Sequence, residues 1–405
     1  MSVGETRAAS DVPRLRVGVF GGFGIGNFGN DASLEAVLAY LAGHHPEAEV
    51  TCICTNPAAL PKSLSARAIA TVLRPKGAWR VADTLLLRQP SVWTNLARSL
   101  AVMGRLDVLL IAGTGVFDDF RDTPLGWPSR VLRWCVSARA RGAKVVFLSV
   151  GAGPILNPLS RSLFKAAARL AQHRSYRDAK SRDFMQRLGV DERASLVLPD
   201  LAFLLAPAPA PARAGDAPLI LGVGMMNYRG WRDSAATFEA YIDTHARLIA
   251  WIDAKGFKTR ILIGQTPTDL VAVRALEQRV GRSLMSPREE TMNSFHDAMS
   301  AAAATDVVIA SRYHVQIAAL KMRRPLFSLS YAPKNDALLA DVGLEAFTQD
   351  IHHVDFDALT RQIETLVGRR AEYGAIVDAR MSAMEARLRD ALATLDLPGA
   401  QASAR

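Results

Sequence analysis

A run of alternating proline and alanine, Ala206 to Pro218 (APAPAPARAGDAP), sits near the middle of this 405-residue chain. It has no apolar face to pack, so it reads as a semi-rigid linker between two folded halves. On each side of it one rhythm recurs: a short apolar or β-branched run, a glycine-containing turn, then a helical stretch. The runs of the first half are Leu15–Phe20, Glu49–Cys54, Asp107–Ile111, Lys144–Val150, His173–Tyr176 and Ser195–Leu198. Those of the second are Leu219–Val223, Lys258–Ile263, Asp306–Ile309 and Leu326–Leu329. Helical periodicity falls between them, as over Ala32–Ala42, Ser160–Ala171, Phe238–Ala254 and Asp269–Arg279. Strands alternating with helices require parallel sheets joined by right-handed crossovers.

The expected fold is therefore α/β: two Rossmann-like domains with parallel sheets, over residues 14–205 and 218–355, joined by a 206–217 linker. Loops at the carboxyl ends of the strands would face an interdomain cleft. A flexible tail over 1–13 and a disordered one over 397–405 are expected. A last long helix from about Asp357 to Leu395, within a 356–396 segment, should pack across both domains.

Composition closes off several classes of function. No uninterrupted apolar run reaches the roughly 20 residues that cross a bilayer. The first residues, MSVGETRAASDVPR, carry no apolar signal core, so a cytoplasmic location is expected. Cys52 and Cys54 are spaced C-x-C, which suits neither a zinc ribbon nor a CxxC redox pair; with Cys135 they read as buried thiols. A net charge of +10 suits an anionic partner, but no nucleic-acid-binding motif accompanies it, so no nucleic acid is expected.

After the first strand comes GGFGIGNFGND, Gly21 to Asp31. Gly24, Gly26 and Gly29 match the dinucleotide fingerprint literally. However, Gly21, Gly22 and Phe23 intervene before it, and the second strand ends at Thr55-Asn56 without an acid for a ribose. A dehydrogenase is not expected. The loop suits close backbone approach to a ligand or an anion held at a helix N-terminus; a plain strand-to-helix turn is the alternative. Asp31 is placed to cap the following helix.

The richest segment is ASRYHVQIAALKMRRPLFSLSYAPKN, Ala310 to Asn335. Arg312 and His314 follow a strand where a helix begins; Tyr331 and Lys334 follow the next strand. Arginine offers a planar fork for carboxylate or phosphate, and histidine exchanges protons near neutral pH. Three basic groups converging on one crevice would be costly without an anion. The first half adds AGTGVFDD, SVGAGP, SYRDAKSRDFMQRLG with Arg177 and Asp178, and LPDLAF with Asp200. For Asp178 and Asp200 the alternative to a role in the site is a structural one, capping or an interdomain ion pair. Asp118 and Asp119 are adjacent and point to opposite faces of an extended chain, so no DxD metal site is expected.

Together, in this order, these segments resemble the polysaccharide pyruvyl transferase family. The resemblance implies a GT-B-like architecture with phosphoenolpyruvate as donor substrate, no further cofactor and no metal. The second domain would hold the donor and the first a sugar acceptor, with lipid linkage left open. By the resemblance Arg312 and His314 take the R-x-H positions, Lys334 the lysine after the final strand and Arg177 the arginine of the RD motif. By their chemistry His314 would be the general acid or base, and Arg312, Lys334, Arg177 and Tyr331 would hold the donor. Gly26, Asn27, Gly29, Asn30, Asp31, Gly113 and Gly115 would line the acceptor side. The chain departs from the family by an extra Asn30 before Asp31, and by Thr114 where glycines are common. Two other classes fit the architecture: a nucleotide-sugar glycosyltransferase, and a non-catalytic sugar- or nucleotide-binding protein. The former would want an acid for the ribose; GQTPTD, Gly264 to Asp269, offers no convincing one.

One stretch falls outside these motifs. Arg74, Lys76, Arg80, Arg88, Arg98 and Arg105 face a single acid, Asp83, with Trp79, Trp93 and Leu85–Leu87 interleaved. This composition suits an anionic membrane surface, which would make the protein peripheral on the inner face of the cytoplasmic membrane. Two ordinary crossover helices with a basic face are the alternative.

Overall fold

The computed structural model describes residues 14–398 apart from 62–63, 65–66, 87–88, 114, 121, 212–216, 231–232 and 288. The first domain holds seven parallel strands: β1 (Arg16–Gly21), β2 (Glu49–Cys54), β3 (Arg67–Ala70), β4 (Val108–Ala112), β5 (Lys144–Val150), β6 (His173–Tyr176) and β7 (Leu196–Val197). Their spatial order is β3-β2-β1-β4-β5-β6-β7. The second domain holds β8 (Ile220–Gly224), β9 (Lys258–Leu262), β10 (Val307–Ala310), β11 (Leu326–Ser330) and β12 (Thr348–Asp350). They form a parallel sheet ordered β12-β11-β10-β8-β9. Strand order reverses between β1 and β4, and again between β8 and β10. Ligands of doubly wound sheets bind at such switch points, outside the carboxyl strand ends. The glycine loop follows β1, AGTGVFDD follows β4, and SRYH follows β10.

The crossovers are α1 (Phe28–His44), α2 (Gly77–Leu85), α3 (Gln89–Met103), α4 (Trp127–Ala140), α5 (Pro158–Arg169) and α6 (Ala179–Arg187) in the first domain. The second has α7 (Ala235–Ala254), α8 (Thr268–Val280), α9 (Phe295–Ala303), α10 (Tyr313–Lys321) and α11 (Pro333–Asp341). The expected strands are present to within a residue or two. β3 (RAIA) and β12 (TQD) escape the reading because neither carries a continuous run of large apolar residues.

α1 buries Phe28, Ala32, Leu34, Val37 and Leu41, leaving little polar face, as a helix enclosed on several sides must. One apolar core accordingly runs from the α1 face of the first sheet through the second domain. The opposite face of the first sheet has its own core around Phe117, Trp134, Phe147 and Phe164.

The expected long terminal helix is two helices, α12 (Phe356–Gly368) and α13 (Arg370–Ala393). The break falls at Gly368-Arg369, where Arg369 leaves helical geometry. α13 does join the domains: Tyr40 Oη donates to the Leu392 carbonyl at 2.8 Å, and Arg387 donates to that of Val197 at 3.1 Å. Lys321 Nζ meets Glu385 at 2.9 Å and the Phe203 carbonyl at 2.7 Å. Leu397, placed by the sequence in a disordered tail, packs into the core; 399–405 and 1–13 lie outside the described residues. So does 212–216 of the linker.

A buried histidine on α7 makes folding acid-sensitive. His245 is fully enclosed, with Nδ1 2.8 Å from the Tyr241 carbonyl, and burial lowers its pKa to about 4. Between about 6.5 and 4 the unfolded chain binds a proton that the folded one refuses, so stability falls as pH drops through that window. His245→Phe should remove about 2–3 kcal/mol of the stability difference between pH 7 and pH 4.5. Urea unfolding of both proteins at the two pH values measures it; equal differences would refute it.

Candidate active site at the domain junction

The loop after β1 does not wait open for an anion. It crosses to the second domain, where Asn27 pairs with Gln265 as an antiparallel bridge. Phe28 N donates to the Gly264 carbonyl at 3.0 Å, and Thr266 N to that of Gly26 at 3.3 Å. Gly26 has φ +74°, and a Cβ there would stand 2.3 Å from the Thr266 oxygen, so only glycine fits. The cap of α1 is Asn27, whose Oδ1 accepts from Gly29 N at 3.2 Å and Asn30 N at 3.4 Å. Asp31 was the expected cap, but it lies inside the first turn and accepts instead from Gly24 N at 2.8 Å. Asn30 Nδ2 reaches the Gly22 carbonyl at 3.0 Å. The first amides of α1 are therefore taken, which removes the donors that an anion at this helix end would use.

The other residues expected on the acceptor side lie at the same junction. Gly113 (φ +53°) packs on Ser33, and Gly115 on Asp118; Thr114 is outside the described residues. Asp118 and Asp119 do face opposite ways. Asp119 accepts from Leu156 N and Asn157 N at 2.8 Å each, while half-buried Asp118 lies in the field of Lys334 and Arg177.

Beneath the loop is a cluster of buried charge drawn from both domains. Asp200 ends the β7 segment and caps the short turn Leu201–Leu204 through Oδ1. Its other oxygen lies 3.9 Å from His314 Nε2 and 4.0 Å from Arg177 Nη1. Asp178 caps α6 through Ser181 N, and its Oδ2 is 3.6 Å from Arg177 Nε. The Arg177 guanidinium lies 4.6 Å over the Tyr313 ring. Gly151 of SVGAGP makes room for it, since a Cβ there would stand 2.5 Å from Arg177 Nη2. Lys334 Nζ is 4.9 Å from the Tyr331 ring and 5.5 Å from that of Tyr313. Arg312, the first residue before α10, turns to fully buried Asp269 and to Gln265 Oε1 at 3.2 Å.

The cations are thus compensated, against the expectation of basic groups awaiting an anion: Asp269, Asp200, Asp178 and Asp118 are interleaved with them. Adjacent strand-end loops supply the acids, and one isolated acid at a time gives no periodic signal. Tyr313 was likewise hidden inside the R-x-H motif. The pairing is nevertheless incomplete. His314 Nε2, Asp200 Oδ2, Asp178 Oδ2, Arg177 Nε and Arg312 Nε are buried without hydrogen-bond partners. Gaps of 3.6–4.0 Å are too long for direct bonds and suit a bridging ligand atom or water.

His314 departs from the expected near-neutral titration. It is 8% exposed, with the imidazole laid over Gly29. Burial, then the charges of Arg177, Lys334 and Arg312, hold its pKa well below 6.5. At neutral pH it is an unprotonated base. Burial raises the Asp200 carboxyl, with Arg177 opposing. Burial also pushes the Tyr331 phenol up, but the charge and hydrogen bond of Lys334, with Arg312 and Arg177, bring it below 10. A cavity of about 320 Å³, bordered by Tyr331, Asp336, Asp350 and His352, opens beside this phenol.

Two parallel α/β domains whose strand-end loops meet over a buried imidazole, three basic side chains and four acids define a GT-B-like fold with a candidate active site at its junction. Solved structures agree on the fold. A putative UDP-N-acetylglucosamine 2-epimerase from Listeria monocytogenes matches with TM-score 0.58 and 11% identity over 95% of this chain and 98% of its own. A Neisseria meningitidis UDP-GlcNAc 2-epimerase gives 0.58 and 10% over 93% and 99%. A lipopolysaccharide outer core galactosyltransferase gives 0.53 and 10% over 94% and 99%. At such identities the likeness concerns the fold alone. No curated protein matches the sequence. The chain belongs to the polysaccharide pyruvyl transferase family, whose profile matches residues 27–333. That match places it among transferases of polysaccharide pyruvylation.

Proposed function

We propose that the junction moves the enolpyruvyl unit of phosphoenolpyruvate onto two hydroxyls of a sugar, forming a cyclic ketal and releasing phosphate. The observation that supports this most is His314 Nε2, buried, unpartnered and surrounded by Arg177, Lys334 and Arg312. The donor carries a phosphate and a carboxylate, which suit several fixed cations. One hydroxyl adds at C2, giving up its proton, while the methylene carbon takes one. Phosphate then leaves, and the second hydroxyl closes the ring as its proton departs. A dianionic donor reverses the field on His314 and raises its proton affinity, so the imidazole becomes an acid or base only once substrate is present. Lys334, Tyr331, Arg312 and Arg177 hold the anion; the acceptor enters from the side of Gly26–Asp31, Gly113 and Gly115. Because the cluster is closed over, the lobes must part for entry. The reaction as drawn calls on no metal or cofactor, and its donor is a cytoplasmic metabolite.

Phosphoenolpyruvate should raise the melting temperature in a concentration-dependent way, whereas UDP-sugars should not. The reverse pattern would point to a nucleotide-sugar enzyme; no shift with either would point away from both.

A further inference from the structure

The first domain carries a second basic feature that pyruvyl transfer does not use. Among the described residues, α2 and α3 are successive helices that, with the turn after α2, leave several large apolar side chains exposed. Trp79 is 56%, Leu85 77%, Leu86 57% and Trp93 64% exposed, and Val81 and Val92 lie on the same two helices. No described helix is long and apolar enough to cross a membrane, so these side chains can sit on a bilayer but not span it.

Near these helices, arginines gather where β3 ends. Arg98 Nη1 donates to the Ala70 carbonyl at 2.7 Å, and Arg133 Nη2 to that of Thr71 at 2.8 Å. Arg130 lies one turn before Arg133 on α4, on the same helix face. The nearby acids are engaged by backbone amides: Asp83 accepts from Ser91 N at 2.8 Å, and Asp122, whose charge also reaches Arg130, accepts from Thr123 N at 2.7 Å and Trp127 N at 3.0 Å. Arg133 Nε is buried without a partner. Burial, then the charges of Arg130 and Arg98, pull Arg133 down to about 10, which records crowding of like charge. Arg74, Lys76 and Arg80 extend the positive field into α2; Arg88 is outside the described residues.

We infer that the α2–α3 segment seats on an anionic bilayer surface, its indoles and leucines among the headgroups, while Arg98, Arg130 and Arg133 take a lipid phosphoryl group. Indole rings favour the headgroup level, and each nearby cation adds attraction to anionic lipid. The occupant is a phospholipid surface because the exposed indoles of Trp79 and Trp93 stand on the same two helices as Arg80 and Arg98; a soluble phosphate would use the arginines alone. None of these residues belongs to the buried cluster, so this inference and the pyruvyl-transfer reading fail separately.

Flotation of the full chain with phosphatidylcholine vesicles, with and without phosphatidylglycerol, tests it. Binding should require phosphatidylglycerol and fall with salt. Trp79→Ser with Trp93→Ser should abolish it, and Arg130→Gln should weaken it about fivefold. These positions are on or near the surface, and circular dichroism confirms that the variants fold. Absence of binding, equal binding to neutral vesicles, or variants that bind as the parent does would overturn the inference. So would inorganic diphosphate stabilising the parent, but not Arg130→Gln, while vesicles go unbound, since the site would then serve a soluble anion.

Discussion

His314→Gln should lower turnover by about 10² to 10⁴-fold while phosphoenolpyruvate binding stays within a few-fold of the parent. The side chain makes no hydrogen bond through Nε2 in the resting protein, so its loss breaks no internal pair. On the proposed mechanism what disappears is a proton carrier at the reacting carbon, and that is felt only in the chemical step. The pH profile provides a second readout. In the free enzyme the imidazole titrates well below 6.5, because burial and three nearby cations disfavour its charge. With the donor bound, two anionic groups favour that charge. The acid limb of kcat, which reports the complex, should thus lie at higher pH than that of kcat/KM, which reports the free enzyme. Both limbs should vanish in the glutamine variant. Rapid-quench turnover and equilibrium donor binding measure the split; undiminished turnover, or binding lost in step with turnover, would remove His314 from the chemistry.

Arg177→Leu should destabilise the fold by about 3–5 kcal/mol and abolish donor binding at the same time. The guanidinium is enclosed between Asp178 and Asp200, both buried, with the Tyr313 ring beneath it. Deleting it leaves two carboxylates in a medium that cannot solvate them. Burial already raises the Asp200 carboxyl, so that residue meets part of the loss by taking up a proton. Arg177→Leu combined with Asp200→Asn should therefore recover much of the stability but none of the donor binding. Urea unfolding at pH 7 and donor titration separate the two effects. A single variant as stable as the parent would show that Arg177 is not what compensates these acids.

The contrast between Arg312 and His314 shows how much of the site was legible. Both sit where a strand passes into a helix, and the strand-turn-helix pattern around Ala310 placed them at the junction from the chain alone. The partners of Arg312 could not be read that way, since Asp269 stands 43 residues earlier in the chain. The glycine loop behaved similarly. Its glycines announced close backbone approach, but Gly24 approaches Asn56 of its own domain, while Gly26 and Gly29 approach Thr266 and the His314 ring of the other. Asn27 took the capping role from Asp31 because a cap must precede the first helical residue in extended backbone, and Asn27 has φ −87° and ψ 106°.

The order of apolar runs, glycine turns and helical periodicity by itself determined two parallel α/β domains, and residue chemistry at the strand ends picked out His314, Arg312, Lys334 and Arg177. These are local properties, set by backbone periodicity and side-chain type within a few positions. Only the tertiary structure decided that the cations meet buried acids, that the imidazole rests unprotonated, and that the first helix end is closed by the opposite domain. Protonation and pairing depend on desolvation and on charges brought together across the chain, and neither exists until the two domains have packed.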